Sequence, residues 1–195
     1  MIALIDYDAG NIRSVGNALA RLGADYELTA DPVRIAAADK VILPGVGNAA
    51  EAMESLQERG LCQVVRSLRV PVLGICVGLQ LLCRSSEEGP TEGLGIFDTR
   101  VRRFREAPDA KVPHMGWNGI GNLESKLFKD LSGGSYVYFV HSYYPELCPD
   151  TIATCRHGDT LFSAALRWEN FYGTQFHPEK SGSVGAAILQ NFLAL

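Results

Sequence analysis

Short apolar runs alternate with helically spaced stretches through the first half of the chain. Residues 1–7 read as a buried strand. From Asn11 the apolar positions Ile12, Val15, Leu19 and Leu22 recur every three or four residues, which predicts a helix with one buried face. Gly23 stands where such a helix stops. Residues 26–30 and 40–43 follow as a second and third strand. A helix over residues 49–59 rests on Ala52, Met53 and Leu56 and ends at Gly60, and Pro71 opens a fourth strand that runs to Cys76. Strands separated by helices at this spacing predict an α/β fold with a mostly parallel central sheet and helices on both faces.

The second half carries shorter runs, rich in aromatic and β-branched residues and separated by turn signals, which predict an antiparallel extension of the same sheet. Residues 136–141 form the clearest strand. Residues 151–156 and 161–167 flank His157-Gly158-Asp159 as a hairpin, residues 171–176 return toward the sheet, and residues 181–195 close the chain as a helix. No linker, low-complexity tract or internal repeat intervenes, so residues 1–195 are expected to form one domain.

Composition sets limits on this picture. Of the 195 residues 47% are hydrophobic and 21% charged, enough to bury a core without disulfide or metal staples. Eighteen Lys and Arg against 22 Asp and Glu leave a formal charge of −4, the opposite of the basic footprint that nucleic acid demands. The longest apolar run, residues 70–82, is broken by Gln80 and falls short of the roughly 20 residues that cross a bilayer. The opening Met-Ile-Ala-Leu-Ile-Asp lacks the parts of a signal peptide, so a cytoplasmic location is expected, with neither nucleic acid nor membrane as partner. Five cysteines (Cys62, Cys76, Cys83, Cys148, Cys155), with no Cys-x-x-Cys pair, suggest neither a disulfide framework nor a metal centre. Arg100, Arg102, Arg103 and Arg105 read as a solvated strand face, because no glycine-rich turn or helix start accompanies them to hold a phosphate.

The strongest chemical signal is Gly74-Ile75-Cys76-Val77-Gly78, where a buried strand meets an apolar helix. It has the form of a nucleophile elbow with cysteine in place of serine. Glycines two before and two after permit a strained turn that lifts the central side chain into solvent, at a helix start that favours thiolate over thiol. A buried cysteine between packing glycines would show the same letters, so the base decides. His114 and His141 fall in or beside strands, and His157 falls in a turn. His177 belongs to Gln175-Phe176-His177-Pro178-Glu179, where Pro178 keeps His177 out of helical geometry. In extended chain, residues two apart point the same way about 6–7 Å apart, so Glu179 can orient the imidazole. Cys76, His177 and Glu179 are therefore the expected triad. The Val77 N–H is the expected oxyanion donor, joined by the glycine-bracketed turn Pro44-Gly45-Val46-Gly47. That turn also satisfies a loose dinucleotide fingerprint, but it is not on the first strand and no acidic residue follows about 20 positions later. A regulatory or nucleotide-binding module with an inert elbow is the rival reading.

With these segments placed, the chain resembles the class I, triad-type glutamine amidotransferases. The resemblance covers nearly the whole chain: Asp6-Tyr7-Asp8-Ala9-Gly10-Asn11, Leu43-Pro44-Gly45-Val46-Gly47, Gly74-Ile75-Cys76-Val77-Gly78-Leu79-Gln80, Pro113-His114-Met115-Gly116-Trp117-Asn118, Phe139-Val140-His141-Ser142-Tyr143 and Gln175-Phe176-His177-Pro178-Glu179. The fourth and fifth segments, with Pro-Gly-Val-Gly, resemble the branch that serves a cyclase of histidine biosynthesis rather than the pyridoxal phosphate branch. The resemblance implies Cys76 as nucleophile, His177 as base then acid and Glu179 as its orienter. It implies Val46 or Gly47 with Val77 at the oxyanion, and Gln80, Ser142 and Tyr143 as binders of glutamine. It also implies a heterodimer with a (β/α)8-barrel cyclase subunit that receives the ammonia and makes imidazole glycerol phosphate and aminoimidazole carboxamide ribotide. Asn11, Trp117, Tyr138 and Lys180 are implied near that contact, and no cofactor is called for.

Overall fold

A computed structural model describes residues 1–8, 10–108 and 110–195; Ala9, inside the Asp6 to Asn11 segment, and Asp109 lie outside them. The chain runs β1 (Ile2–Ile5), α1 (Ile12–Arg21), β2 (Tyr26–Thr29), α2 (Pro32–Ala36), β3 (Lys40–Leu43), α3 (Ala49–Glu58), α4 (Leu61–Ser67), β4 (Val72–Ile75) and α5 (Val77–Leu82). It continues through β5 (Cys83–Ser86), β6 (Thr91–Glu92), β7 (Phe97–Arg103), β8 (His114–Ile120), β9 (Ser135–His141), β10 (Tyr143–Pro145), β11 (Thr151–His157), β12 (Thr160–Trp168), β13 (Phe171–Thr174) and α6 (Gly182–Leu193). The main sheet has the order β11-β12-β13-β4-β3-β1-β2. From β13 to β2 its pairs are parallel, and the hairpin β11–β12 extends it antiparallel to β13. The central strands β1 and β4 are buried throughout, as strands covered on both faces must be. The crossover β1–α1–β2 runs one way along the sheet and the next two run the other way; right-handed crossovers therefore put α1 on one face and α2 to α4 on the opposite one. α6 joins α1, with Ala18 and Leu22 facing Ala186 and Leu189 across a cleft.

The structure departs from the expected plan in the second half. Residues 136–141 do not extend the main sheet: β9 pairs with β8 in a separate ribbon, and β10-β7-β5-β6 form a third sheet. Alternation marks a strand with one buried face, as in β7 with Phe97, Thr99 and Val101 inward, but it does not name the partner strand. β8 is hidden because Gly116, Asn118 and Gly119 are poor strand formers held by pairing with β9. α2 and α4 are also unanticipated. Asp31 caps α2 by accepting from the Val33 N–H at 2.9 Å, with Pro32 in the first turn. Gly60 both ends α3 and leads into α4 through its left-handed φ of 68°.

The main sheet and α5 meet so closely at one point that only glycine fits. A Cβ built on Gly78 would lie 1.9 Å from the Leu43 carbonyl oxygen, which is rigid backbone at the end of β3. Gly78→Ala is therefore expected to destabilise the fold by about 1–3 kcal/mol, lowering Tm by roughly 2–12 °C in a chain of this size. A melting curve superimposable on the parent's would contradict this packing.

Candidate active site

Cys76 sits at the junction of β4 and α5 with φ 54° and ψ −107°, the strained elbow that its flanking glycines predict. Its N–H donates to the Thr174 carbonyl at 2.8 Å, tying the elbow to the end of β13. The expectation that the turn lifts the sulfur into solvent is not met. Cys76 is only 3% exposed and forms part of the wall of a cavity of about 250 Å³. Val46 and Gly47 from the turn after β3, Pro113 before β8, and Val140 to Tyr143 at the end of β9 and the start of β10 line the same cavity and cover the elbow.

His177 reaches the same cavity from beyond β13. Its backbone is extended, as the following proline dictates, and its N–H donates to the Tyr138 carbonyl at 2.9 Å. Pro178–Lys180 then wind into a 3-10 turn, and this turn, rather than strand alternation, swings Glu179 beside the imidazole. His177 Nδ1 donates to Glu179 Oε1 at 2.8 Å, and the Asn11 amide donates to the same oxygen at 2.6 Å. Asn11, expected near a partner, thus spends its amide on the carboxylate because the start of α1 packs against the Pro178–Lys180 turn. The His177 and Glu179 side chains are both inaccessible to solvent, and His177 Nε2 is buried with no hydrogen-bond partner. Burial alone pulls the imidazole pKa down, but the Cys76 sulfur and the Glu179 carboxylate outweigh it and bring it up to about 10. The two partners thus favour the protonated imidazole.

The other candidate bases are disqualified by their partners. The Asn118 amide donates to the Arg156 carbonyl and to His114 Nε2; His114 Nδ1 then donates to His141 Nε2 at 3.0 Å. His141 Nδ1 in turn donates to the Tyr143 carbonyl at 2.7 Å. Backbone carbonyls at both ends of this chain leave only one tautomer for each ring. Burial lowers His141 to about 3, and burial with the nearby His157 lowers His114 to about 4, so both stay neutral. His157 stacks on His114 and hydrogen-bonds to the Lys111 carbonyl, away from Cys76.

Gln80, Ser142 and Tyr143 line the cavity, as do Val46, Gly47 and Val77. The Val77 N–H points at the Gly45 carbonyl at 3.3 Å, so the turn occupies the donor that an oxyanion needs. The buried Tyr7 hydroxyl donates to the Pro44 carbonyl and holds that turn from behind. Gln80 turns its amide nitrogen inward, to the Tyr143 carbonyl at 3.1 Å and Gln175 Oε1 at 3.0 Å, leaving Oε1 for a ligand. Two residues here received no role from the sequence: Glu88, an acidic residue lining the cavity, and Gln175, whose amide donates to the Cys76 sulfur at 3.7 Å. Glu88 also accepts from the Ala49 N–H at 2.8 Å, which anchors the helix after the turn.

Trp117 and Tyr138 are cross-strand partners on the β8–β9 ribbon, packed edge to face at 6.2 Å. Trp117 is 55% exposed and shares its face with the exposed Met115 and Tyr136, while exposed Lys180 follows Glu179. The arginine run lies on and after β7, with Arg102 paired to Glu87 and Glu146, a solvated face as expected. Burial raises the thiols of Cys83 and Cys155, the latter to about 12. Among the described residues no cluster of His, Cys, Asp or Glu is placed to hold a metal ion, and no helix is long and apolar enough to cross a membrane.

Comparisons with known proteins agree with this geometry. The family described as "Glutamine amidotransferase class-I" matches residues 3–195. The imidazole glycerol phosphate synthase subunit HisH of Bacteroides fragilis strain YCH46 is 54% identical over 197 residues, covering 100% of this chain and 99% of that protein. The HisH subunit of Gloeobacter violaceus is 46% identical, covering 98% of this chain and 88% of that protein. A crystal structure described as a glutamine amidotransferase superposes with TM-score 0.75 at 20% identity, covering 100% of this chain and 98% of that one. A putative GMP synthase component from Thermoplasma acidophilum gives 0.70 at 22% identity, covering 99% and 92%. These two share the α/β fold. The chain belongs to the class-I glutamine amidotransferases and, within them, to the family of HisH subunits of imidazole glycerol phosphate synthase.

The two histidine environments give opposite pH behaviour. His177 binds its proton more tightly folded than unfolded, so its contribution to stability is full below about pH 6.5 and fades as pH rises through about 10. His114 and His141 are held neutral, so they destabilise the fold as pH falls from about 6.5 toward 4. NMR of labelled imidazoles should show His177 protonated at pH 7 with the other two neutral. In Cys76→Ala the His177 midpoint should drop, and a midpoint left near 10 would mean that the sulfur does not support the proton.

Proposed function

We propose that this chain is the glutaminase subunit of an imidazole glycerol phosphate synthase, with Cys76, His177 and Glu179 as its catalytic triad. The observation that carries the reading is a strained cysteine on the wall of a small cavity, facing a single imidazole whose far nitrogen is fixed by a buried carboxylate. The cavity is smaller than the roughly 300–1,000 Å³ of drug-sized sites and suits one amino acid. Glu88 supplies a negative charge for its ammonium group, while Gln80 Oε1 and the main chain at Ser142 and Tyr143 meet its polar atoms.

In this reading the Cys76 thiolate attacks the side-chain carboxamide carbon of glutamine, forming the C–S bond. The tetrahedral intermediate breaks its C–N bond as His177 gives its proton from Nε2 to the leaving nitrogen, and ammonia departs. Water then attacks the γ-glutamyl thioester with His177, now neutral, taking its proton. Glutamate leaves and the thiolate returns. Glu179, fixed by Asn11, keeps the imidazole oriented and stabilises its charged form.

Free ammonia in neutral water is mostly ammonium, so the product is useful only if it passes directly to an acceptor. The exposed Met115, Trp117 and Tyr136 offer an apolar docking face for a barrel-shaped cyclase subunit, with Tyr138 beneath and Lys180 beside the triad segment. An apolar patch rimmed by polar residues is the ordinary mark of such a contact. The location that fits this pathway is the cytoplasm.

Cys76→Ala should abolish glutamine-dependent turnover while melting near the parent temperature, and added ammonia should still support the partner's reaction. His177→Asn should be nearly as damaging, whereas Glu179→Gln should retain more activity because it leaves the proton carrier in place. An inverted order would reassign the roles. The isolated chain should also be nearly inactive, because the Gly45 carbonyl occupies the Val77 N–H. Freeing one oxyanion donor is worth about 100-fold to 1,000-fold, and the partner with its ligand bound should raise the glutaminase rate by that order. Equal rates with and without the partner would reject this switch.

A further inference from the structure

Nothing in the triad explains why Gln175 is present. It is fully buried between the end of β13 and His177, where leucine or methionine would fill the volume without taking an amide out of water. It does not line the cavity, so it is placed behind the sulfur and away from a substrate. Its orientation is set from outside. The Tyr143 carbonyl can only accept, so the group facing it on Gln80 is the NH2; that NH2 also faces Gln175 Oε1, and Gln175 Nε2 is left pointing at Cys76 Sγ. The Tyr143 carbonyl is itself fixed by His141, and His141 by His114.

We propose that Gln175 is a further catalytic residue, a donor to the Cys76 thiolate that is held in register by the Gln80 amide and the neutral pair His114 and His141. Sulfur is a weak acceptor as a thiol and a much stronger one as a thiolate, so the bond favours the charged form. It acts twice in the cycle: it enlarges the fraction of nucleophile ready to attack, and it steadies the sulfur as leaving group when water breaks the thioester. His114, His141 and Gln80 are positioning residues for this donor.

The inference rests on Cys76 as the nucleophile, and its test reads the thiol apart from turnover. Iodoacetamide labelling of Cys76, measured against pH in the full chain, gives a midpoint and a plateau. Gln175→Met removes the donor at nearly constant volume. The midpoint should rise by about one pH unit, the size expected for losing a hydrogen bond to a charged group. The high-pH plateau should stay level or rise up to about threefold, since a less stabilised thiolate is the better nucleophile. With the partner bound, kcat for glutamine near neutral pH should fall about tenfold and KM change less than about twofold, because Gln175 does not touch the substrate. An unmoved midpoint, or a rise in KM at constant kcat, overturns the proposal.

A second measurement needs no variant. In the parent chain with labelled glutamine, the Gln175 side-chain amide proton should shift when Cys76 is alkylated, and a static resonance overturns the proposal as well. If Cys76→Ala still turned over glutamine, the glutaminase reading would fail while the midpoint shift in Gln175→Met would stand.

Discussion

The first turn of α5 lies against the carbonyl of Leu43 with no room for a side chain at Gly78, and the active site is organised around that contact. It brings the start of α5 over the end of β3, so that Val77 meets Gly45 and Cys76 is forced to a positive φ. A non-glycine residue in such a conformation costs of order 1–3 kcal/mol. The cost is borne because Val77, Leu79, Leu81 and Leu82 are all packed in the core, which leaves the helix no cheaper position. The strained residue and the glycine turn beside it are thus set by one backbone approach.

Electrostatics then separates residues of the same type. Three histidines are buried, yet two are pushed toward the neutral form and one toward the charged form. The difference is in their company: His114 and His141 see carbonyls, amides and Phe104, Phe139 and Phe162, whereas His177 has a carboxylate on one side and a sulfur on the other. Burial works against the charged form in all three, and only at His177 is there enough negative charge to reverse it.

The elements that position the chemistry were legible because their signals are local. The parallel core follows from buried runs and helical spacing, and the elbow, the turn after β3 and the extended His177 follow from glycine and proline at fixed offsets. What was not legible depends on contacts distant in sequence. Nothing near residues 136–141 states that they pair with a glycine-bearing strand rather than with the main sheet. The covering of Cys76 by the loops at Val46 and Ser142 is equally invisible, which is why an exposed sulfur was expected where a buried one is found. Gln175 and Gln80 are separated by 95 residues, and only the fold shows that one amide orients the other.

Tyr138 gives the structure a property that neither the docking face nor the triad has alone. Its side chain belongs to the exposed aromatic face, while its main chain accepts from the His177 N–H and donates to Ser181 Oγ, whose hydroxyl returns to the His177 carbonyl at 2.6 Å. Any displacement of this strand therefore reaches the main chain of His177 through these hydrogen bonds. Thermodynamic linkage makes the traffic symmetrical: if an occupied cyclase increases the affinity for glutamine by some factor, bound glutamine must tighten the complex by the same factor. Under positive coupling of that kind the complex is tightest when both substrates are in place and loosens when either is spent.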